Sequence, residues 1–267
     1  MTNKNSEDQR QIIIGIHSIA EAMLNSKRKG SEIIATTKGI ENLLDKFSSS
    51  NYKRALENIK VKIVNNDQFL VESQKSFKKF GYEYQRISSQ IMMISSSFGI
   101  ENEAWLYEKM KSGQREMKFL ALDRVTDIHN GAAILRTAAF FAVDALILSY
   151  KGSFNITPAF FRISSGSVEH VPLVLSTNLS RTVSKLQDHG IECVALSEKN
   201  EKREFYEGLS NAIGRCLVLG SEEDGVSHAV MRVVKSVVEL KSFGKIKTLN
   251  VSVAAAISMD RFFNKKE

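Results

Sequence analysis

From Gly15 onward, apolar residues fall at positions 16, 19, 20, 23 and 24. That is the i, i+3, i+4, i+7, i+8 stripe of an amphipathic helix, and it closes on the basic run SKRKG with Gly30 as its stop. EIIAT then reads as a strand, GIENLLDKF as a helix, VKIVN as a second strand and NDQFLVESQ as a second helix opened by Asn66 or Asp67. QIMMISS reads as a last strand. The pattern predicts a small α/β domain over residues 1–95. Residues 96–117 interrupt it with a polar stretch that carries the single Trp, and they read as a linker with room for a short helix.

At Phe119 the rhythm changes. FLALDRV is a strand, followed by a helix from about Asn130 to Ala142 and a strand at ALILSY. After a loop come VPLVLST, a helix at 180–189, IECVALS, a polar stretch and CLVLG. A helix near 226–235, a strand at SVVEL and a helix from about Asn250 to Phe262 complete the pattern. Short apolar strands alternating with helices predict a mostly parallel sheet covered on both faces, over residues 118–267. Ligands bind such sheets beyond the C-terminal strand ends. The loops of interest are therefore DIHNG, STN, GSEEDG and KSFGKIKT.

Composition adds bounds. Hydrophobic residues at 43% and charged residues at 25% are those of a folded globular protein and not of a disordered one. The net charge of +7 divides as +5 over residues 1–95, −1 over 96–117 and +3 over 118–267. A modest excess centred on the N-terminal third is compatible with nucleic acid and does not require it. SKRKG (26–30), YKR (52–54) and SFKKFGYEYQR (76–86) are candidate phosphate contacts, each with a competing reading as a solvated face. The aromatics at 77, 80, 82 and 84 are candidates for stacking on bases or for the core. Cys193 and Cys216 sit in apolar runs and read as buried reduced thiols; two cysteines exclude a four-cysteine zinc site. No apolar run approaches the ~20 residues of a membrane span, and the polar start Met1–Gln11 lacks a signal core, so a cytoplasmic location is expected.

Most familiar catalytic signatures are missing. There is no G-x-G-x-x-G after a strand, no phosphate-binding G-x-x-x-x-G-K-[ST], no H-E-x-x-H, no C-x-x-C and no G-x-S-x-G. What remains is a set of polar groups on the strand-to-helix turns: Asn130, Arg136, Glu222, Asn250 and Ser252. Each has a local alternative. Asn130, Asn250 and Ser252 suit helix caps, Glu222 suits a helix N-terminus, and Arg136 suits a surface ion pair.

Their order and spacing carry more than their identities. LDRVTDIHNGAAILRTAAFFAVDALIL (122–148), LVLGSEEDGVS (217–227) and LKSFGKIKTLNVSVAAAI (240–257) resemble the three motifs of the SpoU branch of the SPOUT RNA methyltransferases. SSGSVEHVPLV (164–174) and TNL (177–179) are similar to intervening family segments. GIHSIAEAML followed by EIIAT resembles the ribosomal-protein-like substrate-binding domain that precedes the catalytic domain in many members. The layout is similar to that of the large-subunit rRNA guanosine 2′-O-methyltransferases.

The resemblance implies a catalytic domain with a deep C-terminal trefoil knot, threaded roughly from Gly220 to Asn250 onward, and a homodimer whose sites are completed at the subunit interface. It implies S-adenosylmethionine as cofactor, no metal, and RNA as substrate. By motif position the cofactor contacts fall on Gly220, Leu240 and Leu249. Arg136 matches the motif arginine. A guanidinium stays protonated in proteins, so it suits a phosphate or a developing alkoxide better than the role of base. Asn130 and Asn250 would orient loops and ribose, and Glu222 would position Arg136 or a proton-accepting water; Ser252 fills the last polar motif position.

The chain also departs from the family pattern. The family's apolar-Pro-Met run is Leu240, Lys241, Ser242; the Gly expected after the motif glutamate is Glu223; and the glycine of Asn-x-Gly is displaced to Gly131. These changes leave open a catalytically silent RNA-binding paralogue. A resistance-type rRNA adenosine 2′-O-methyltransferase and a tRNA 2′-O-methyltransferase share the architecture and also stay open.

Overall fold

The computed structural model describes residues 10–97, 99–112, 116–197 and 212–263. The expected polar stretch between IECVALS and CLVLG lies mostly outside them. In chain order the elements are β1 (Arg10–Ile14), α1 (Ile16–Leu24), β2 (Glu32–Ala35), α2 (Thr37–Lys46), α3 (Ser50–Glu57), β3 (Lys60–Ile63), α4 (Asn66–Lys79) and β4 (Ile91–Ser96). They continue as α5 (Glu103–Ser112), β5 (Met117–Asp123), α6 (Ile128–Phe140), β6 (Ala145–Ser149), α7 (Pro158–Ser164) and a 3-10 turn at Ser167–Glu169. The remainder are β7 (Leu173–Ser176), α8 (Leu179–Asp188), β8 (Ile191–Leu196), β9 (Gly214–Gly220), α9 (His228–Met231), β10 (Ser236–Val238) and α10 (Val251–Phe263).

Two compact units result. The first comprises residues 1–99 together with 155–170, and the second 100–154 together with 171–267. The first unit holds a four-stranded sheet in the order β1-β4-β2-β3, antiparallel except for the β2–β3 pair. Ile12, Ile14, Ile34, Phe69, Phe77, Met92 and Ile94 form one of its cores. Within this unit α7 packs on β1. The Arg28 guanidinium and the Glu169 carboxylate form a buried ion pair at 2.6 Å. Arg28 is thus committed to the interior and is not a phosphate contact, a correction to the reading of SKRKG. The aromatics at 77, 80, 82 and 84 also turn inward. Phe77 is fully buried, and Phe80, Tyr82 and Tyr84 pack against the same core.

The second unit is a six-stranded, wholly parallel sheet in the order β10-β8-β9-β5-β6-β7. Phe119 and Ala121 of β5 face a core shared with Val183 and Leu186 of α8. Leu120 and Leu122, at the alternate positions, point to the opposite face, where α6 and α10 pack on each other and α10 packs on β9. The stretch expected to link the domains carries α5, whose Leu106 and Met110 are buried in this second core.

Local differences have simple causes. The strand β1 and the helices α3 and α7 are additions to the predicted pattern: β1 and α7 are short runs without a period, and α3 is two turns carrying only Tyr52, Ala55 and Leu56 as its apolar stripe. The expected helix near 226–235 is one turn, because Ser236–Val238 leaves to pair with β8. The α4 cap is Asn65, one residue before the expected pair, closed reciprocally with Gln68. Helix α6 begins at Ile128 with Asp127 as its cap, so Asn130 is released from that duty.

Candidate functional site

Strands β5 and β9 are adjacent and parallel, with Asp123 opposite Gly220. Their C-terminal ends therefore open two loops side by side. The loop after β5 runs through Arg124 to Asp127, whose carboxylate accepts from the His129 N–H at 2.7 Å. Asn130 follows in the first turn of α6 and is 8% exposed. The loop after β9 folds back at once: the Gly225 N–H donates to the Ser221 carbonyl at 3.0 Å and the Asp224 N–H to Ser221 Oγ at 3.2 Å. Gly225 closes the turn at φ 68°. A Cβ on Gly220 would lie 1.9 Å from the Gly225 carbonyl carbon, so only glycine fits beneath this turn.

Three chain segments meet at Asn130. Its Nδ2 donates to Glu222 Oε1, and its Oδ1 accepts from Asn250 Nδ2 at 2.9 Å. The Asn250 Oδ1 in turn accepts from the Ser252 N–H at 2.9 Å and from Ser252 Oγ at 2.6 Å. The chemistry fixes every orientation. An ionised carboxylate only accepts, so the Asn130 amide must turn its NH₂ to Glu222 and its oxygen to Asn250. Asn250 then has its oxygen left for Ser252, where it also caps the first turn of α10. The capping reading of Asn250 and the site reading are thus one arrangement.

A cleft of about 720 Å³ lies beside this linkage. Gly220, Glu222, Leu240 and Leu249 line it, with Leu196, Leu219, Val226 and Met231 as apolar wall and Arg124, Glu223, Asp224 and Lys247 at its rim. Asn130, Asn250 and Ser252 are not among the lining residues, although Val251 and Ala254 of the same α10 turn are. Arg136 stands apart. Six residues after Asn130 it faces a different side of α6, exposed, with no partner among the described residues. Within one chain it does not meet Glu222.

The departures from the family pattern acquire physical content. Gly131 permits the Phe154 ring to lie 2.2 Å from where a Cβ would stand. Ser242 accepts from the Gly244 N–H at 3.3 Å and donates to the Ile246 carbonyl at 2.6 Å, holding a turn where a proline would have stiffened the loop. Phe243 and Ile246 project from that turn, 92% and 79% exposed. Glu223 sits exposed at the cleft rim.

Two contributors escaped the sequence reading. Asp127 caps α6 and accepts weakly from Asn130 Nδ2 at 3.5 Å. Arg124 lines the cleft from a left-handed backbone, φ 60°, and pairs with Asp224 at 3.5 Å. Their position directly after a strand was the available signal; the left-handed turn that aims Arg124 was not readable. Among the described residues no group of three or more His, Cys, Asp or Glu is placed to hold a metal, and no helix is long and apolar enough to cross a membrane.

Known proteins share this architecture. The SpoU rRNA Methylase family matches residues 117–260, more than half of the chain. A protein of Staphylococcus aureus (strain COL), named for the TrmH family of tRNA/rRNA methyltransferases, is 33% identical over 159 residues, which is 60% of this chain and 63% of that relative. A protein of the same description from Staphylococcus epidermidis is 26% identical over 255 residues, 96% of each chain. Among solved structures, the SpoU methyltransferase AviRb from Streptomyces viridochromogenes, in complex with the cofactor AdoMet, superimposes with a TM-score of 0.68 at 16% identity, over 97% of this chain and 91% of that one. A TrmH-family protein from Porphyromonas gingivalis does so with a TM-score of 0.67 at 20% identity, over 96% and 90%. The α/β architecture and its parallel six-stranded sheet are those of this group, and the chain belongs to the SpoU rRNA methylase family.

Proposed function

We propose that the protein is an S-adenosylmethionine-dependent RNA methyltransferase that modifies a ribose 2′-hydroxyl, with a guanosine of large-subunit rRNA as its target. The observation that carries this reading is the linkage Glu222–Asn130–Asn250–Ser252 beside a cleft lined by Gly220, Leu240 and Leu249. The cleft suits the cofactor. Its volume falls in the ~300–1,000 Å³ range of small-molecule sites. It offers leucine walls for an adenine, and Gly220 exposes main chain that a side chain would cover. With Asp224 paired to Arg124, the carboxylates of Glu222 and Glu223 are those left to complement a sulfonium cation.

When bound, the cofactor supplies an activated methyl group, and the chain must then manage the hydroxyl proton. Arg136 is exposed and has no partner among the described residues, ready for the RNA phosphate or the developing alkoxide. Asn130 holds Glu222 in place, where it would position a proton-accepting water or an Arg136. Asn250 and Ser252 fix the start of α10 at the cleft wall. A homodimer through the catalytic domain would bring the Arg136 of one protomer to the linkage of the other. Its support is that Phe140, one turn beyond Arg136 on the same side of α6, is 83% exposed. The family's C-terminal knot, residues 1–95 as substrate-binding domain, 118–267 as catalytic domain and action in the cytoplasm belong to the same reading.

Nucleotide-resolution mapping of 2′-O-methylation in rRNA and tRNA from a deletion strain and its complemented parent tests it. One rRNA guanosine should lose its mark and regain it. A lost tRNA mark or an rRNA adenosine mark would redirect the substrate, and an unchanged map would sink the reading. Calorimetry with S-adenosylmethionine separates the silent paralogue, which would give no binding at millimolar ligand.

A further inference from the structure

A second concave site lies wholly within the first unit. It has a volume of about 180 Å³, and Lys46, Arg86, Arg162 and His17 line it with the hydroxyl residues Ser88 and Ser89. None of its lining residues is acidic. Lys46, Arg86 and Arg162 are exposed and have no ion-pair or hydrogen-bond partner among the described residues. They come from three separate elements: the last turn of α2, the run before β4, and α7.

The fold brings them together for a definable reason. Gly15, at φ 95°, has no side chain, and a Cβ there would lie 3.2 Å from the Arg162 Cα. The α7 backbone therefore closes on the β1–α1 turn and carries Arg162 over it. The same glycine leaves α1 without a side-chain cap, while the Ser18 hydroxyl is spent on the Phe161 carbonyl. Three unneutralised cations crowded into one small concavity repel one another, and an oxyanion removes that repulsion.

We propose that this concavity binds a phosphodiester of the RNA substrate, so that Lys46, Arg86 and Arg162 anchor the RNA backbone on the first unit. The inference rests on the RNA-methyltransferase reading and adds to it a contact for RNA on residues that do not line the methyl-transfer cleft. Phosphate contacts of this kind fix position and carry no sequence preference. The ligand is committed as RNA phosphate because the same unit holds the larger share of the net charge.

The test is filter binding of labelled large-subunit rRNA to the full chain as a function of KCl. It compares wild type, the triple variant Lys46→Gln, Arg86→Gln, Arg162→Gln, and a control with equal charge removed elsewhere on the unit, outside the basic runs named above, Lys38→Gln, Lys60→Gln, Lys75→Gln. Each lost phosphate contact lowers the slope of log K against log[salt] by about 0.7–0.9. The triple variant should therefore lose about two units of slope and more than about tenfold in affinity near 0.1 M salt, with S-adenosylmethionine affinity by calorimetry unchanged. An equal loss in the control would show diffuse charge only and overturn the site. So would heat from inorganic phosphate that vanishes in the triple variant while RNA binding stays intact, since the concavity would then serve a free anion. A wild type that binds rRNA no better than both variants overturns this inference alone. A wild type that binds no RNA overturns the RNA reading and this inference with it.

Discussion

Asn250 Nδ2 donates to Asn130 Oδ1 at 2.9 Å, across 120 residues of chain. That bond ties the start of α10 to the first turn of α6, and Asn130 passes the tie on to Glu222. Asn130→Asp replaces the donor facing Glu222 by a second carboxylate. The variant should lose about 1–2 kcal/mol of stability at neutral pH, from a broken half-buried bond and like-charge repulsion. Part of that loss should return as pH falls and one carboxylate of the pair takes a proton. Urea unfolding at pH 7 and pH 5 reads both effects, and an identical penalty at the two values would count against the orientation assigned to Asn130.

Gly220 lies under the main chain of Gly225 and Val226, with no flexible side chain to yield. Gly220→Ala should displace the 221–225 turn at a cost of about 1–3 kcal/mol. S-adenosylmethionine affinity should fall at least about tenfold, because the displaced turn forms one wall of the cleft. Gly244→Ala is the control, since a Cβ there meets nothing within 4 Å. Calorimetry on the two full-length variants should separate them; equal affinities would remove Gly220 from the cofactor wall.

Arg136 is exposed and makes no ion pair or hydrogen bond among the described residues, so Arg136→Ala should change stability by no more than about 0.5 kcal/mol. Methyl transfer in a single turnover should nevertheless slow about 10²- to 10³-fold, the scale of one lost oxyanion donor. Cofactor affinity should stay at the wild-type level. Near-normal transfer by a folded Arg136→Ala would take the residue out of the mechanism.

The second unit was legible in the sequence because its strands are buried on both faces and appear as uninterrupted apolar runs. The first unit was less so: β1 is a five-residue strand without alternation, and α3 is an eight-residue helix whose apolar stripe is only Tyr52, Ala55 and Leu56, all half-buried. At the site, motif spacing marked Asn130, Glu222, Asn250 and Ser252, but a spacing does not say which atoms meet. The amide relay depends on hydrogen bonds over 92 and 120 residues, and Arg124 on a left-handed backbone. Arg28 shows the opposite limit. In SKRKG it is one cation among three, and only tertiary contact with Glu169 takes it out of solvent.

Cys193 and Cys216 face each other across β8 and β9, both buried and reduced. The Cys216 thiol beside it, together with burial, pushes the Cys193 thiol well above the ordinary cysteine range. Cys193 therefore stays a thiol at physiological pH, and the thiolate is the reactive form. Iodoacetamide at pH 8 should leave Cys193 unmodified in the native protein and alkylate it after denaturation. Fast labelling of Cys193 in the native state would show that the sheet centre opens.

Glu103, in the first turn of α5, accepts from the Thr177 N–H at 3.0 Å and from Ser176 Oγ and Thr182 Oγ1 at 3.1 Å each. Partial burial pushes its carboxyl up, but these hydrogen bonds outweigh it and hold the group below the usual carboxylate range. A carboxyl depressed on folding contributes fully above its unfolded value of about 4.3 and loses that contribution as pH falls through the lower folded value. Glu103→Gln keeps the shape and removes the charge. It should cost about 1 kcal/mol at pH 7, with the gap to wild type closing below about pH 4. Urea denaturation of both proteins from pH 7 to pH 3.5 measures that gap. A pH-independent gap would assign the effect to packing of α5 and not to the hydrogen-bonded carboxylate.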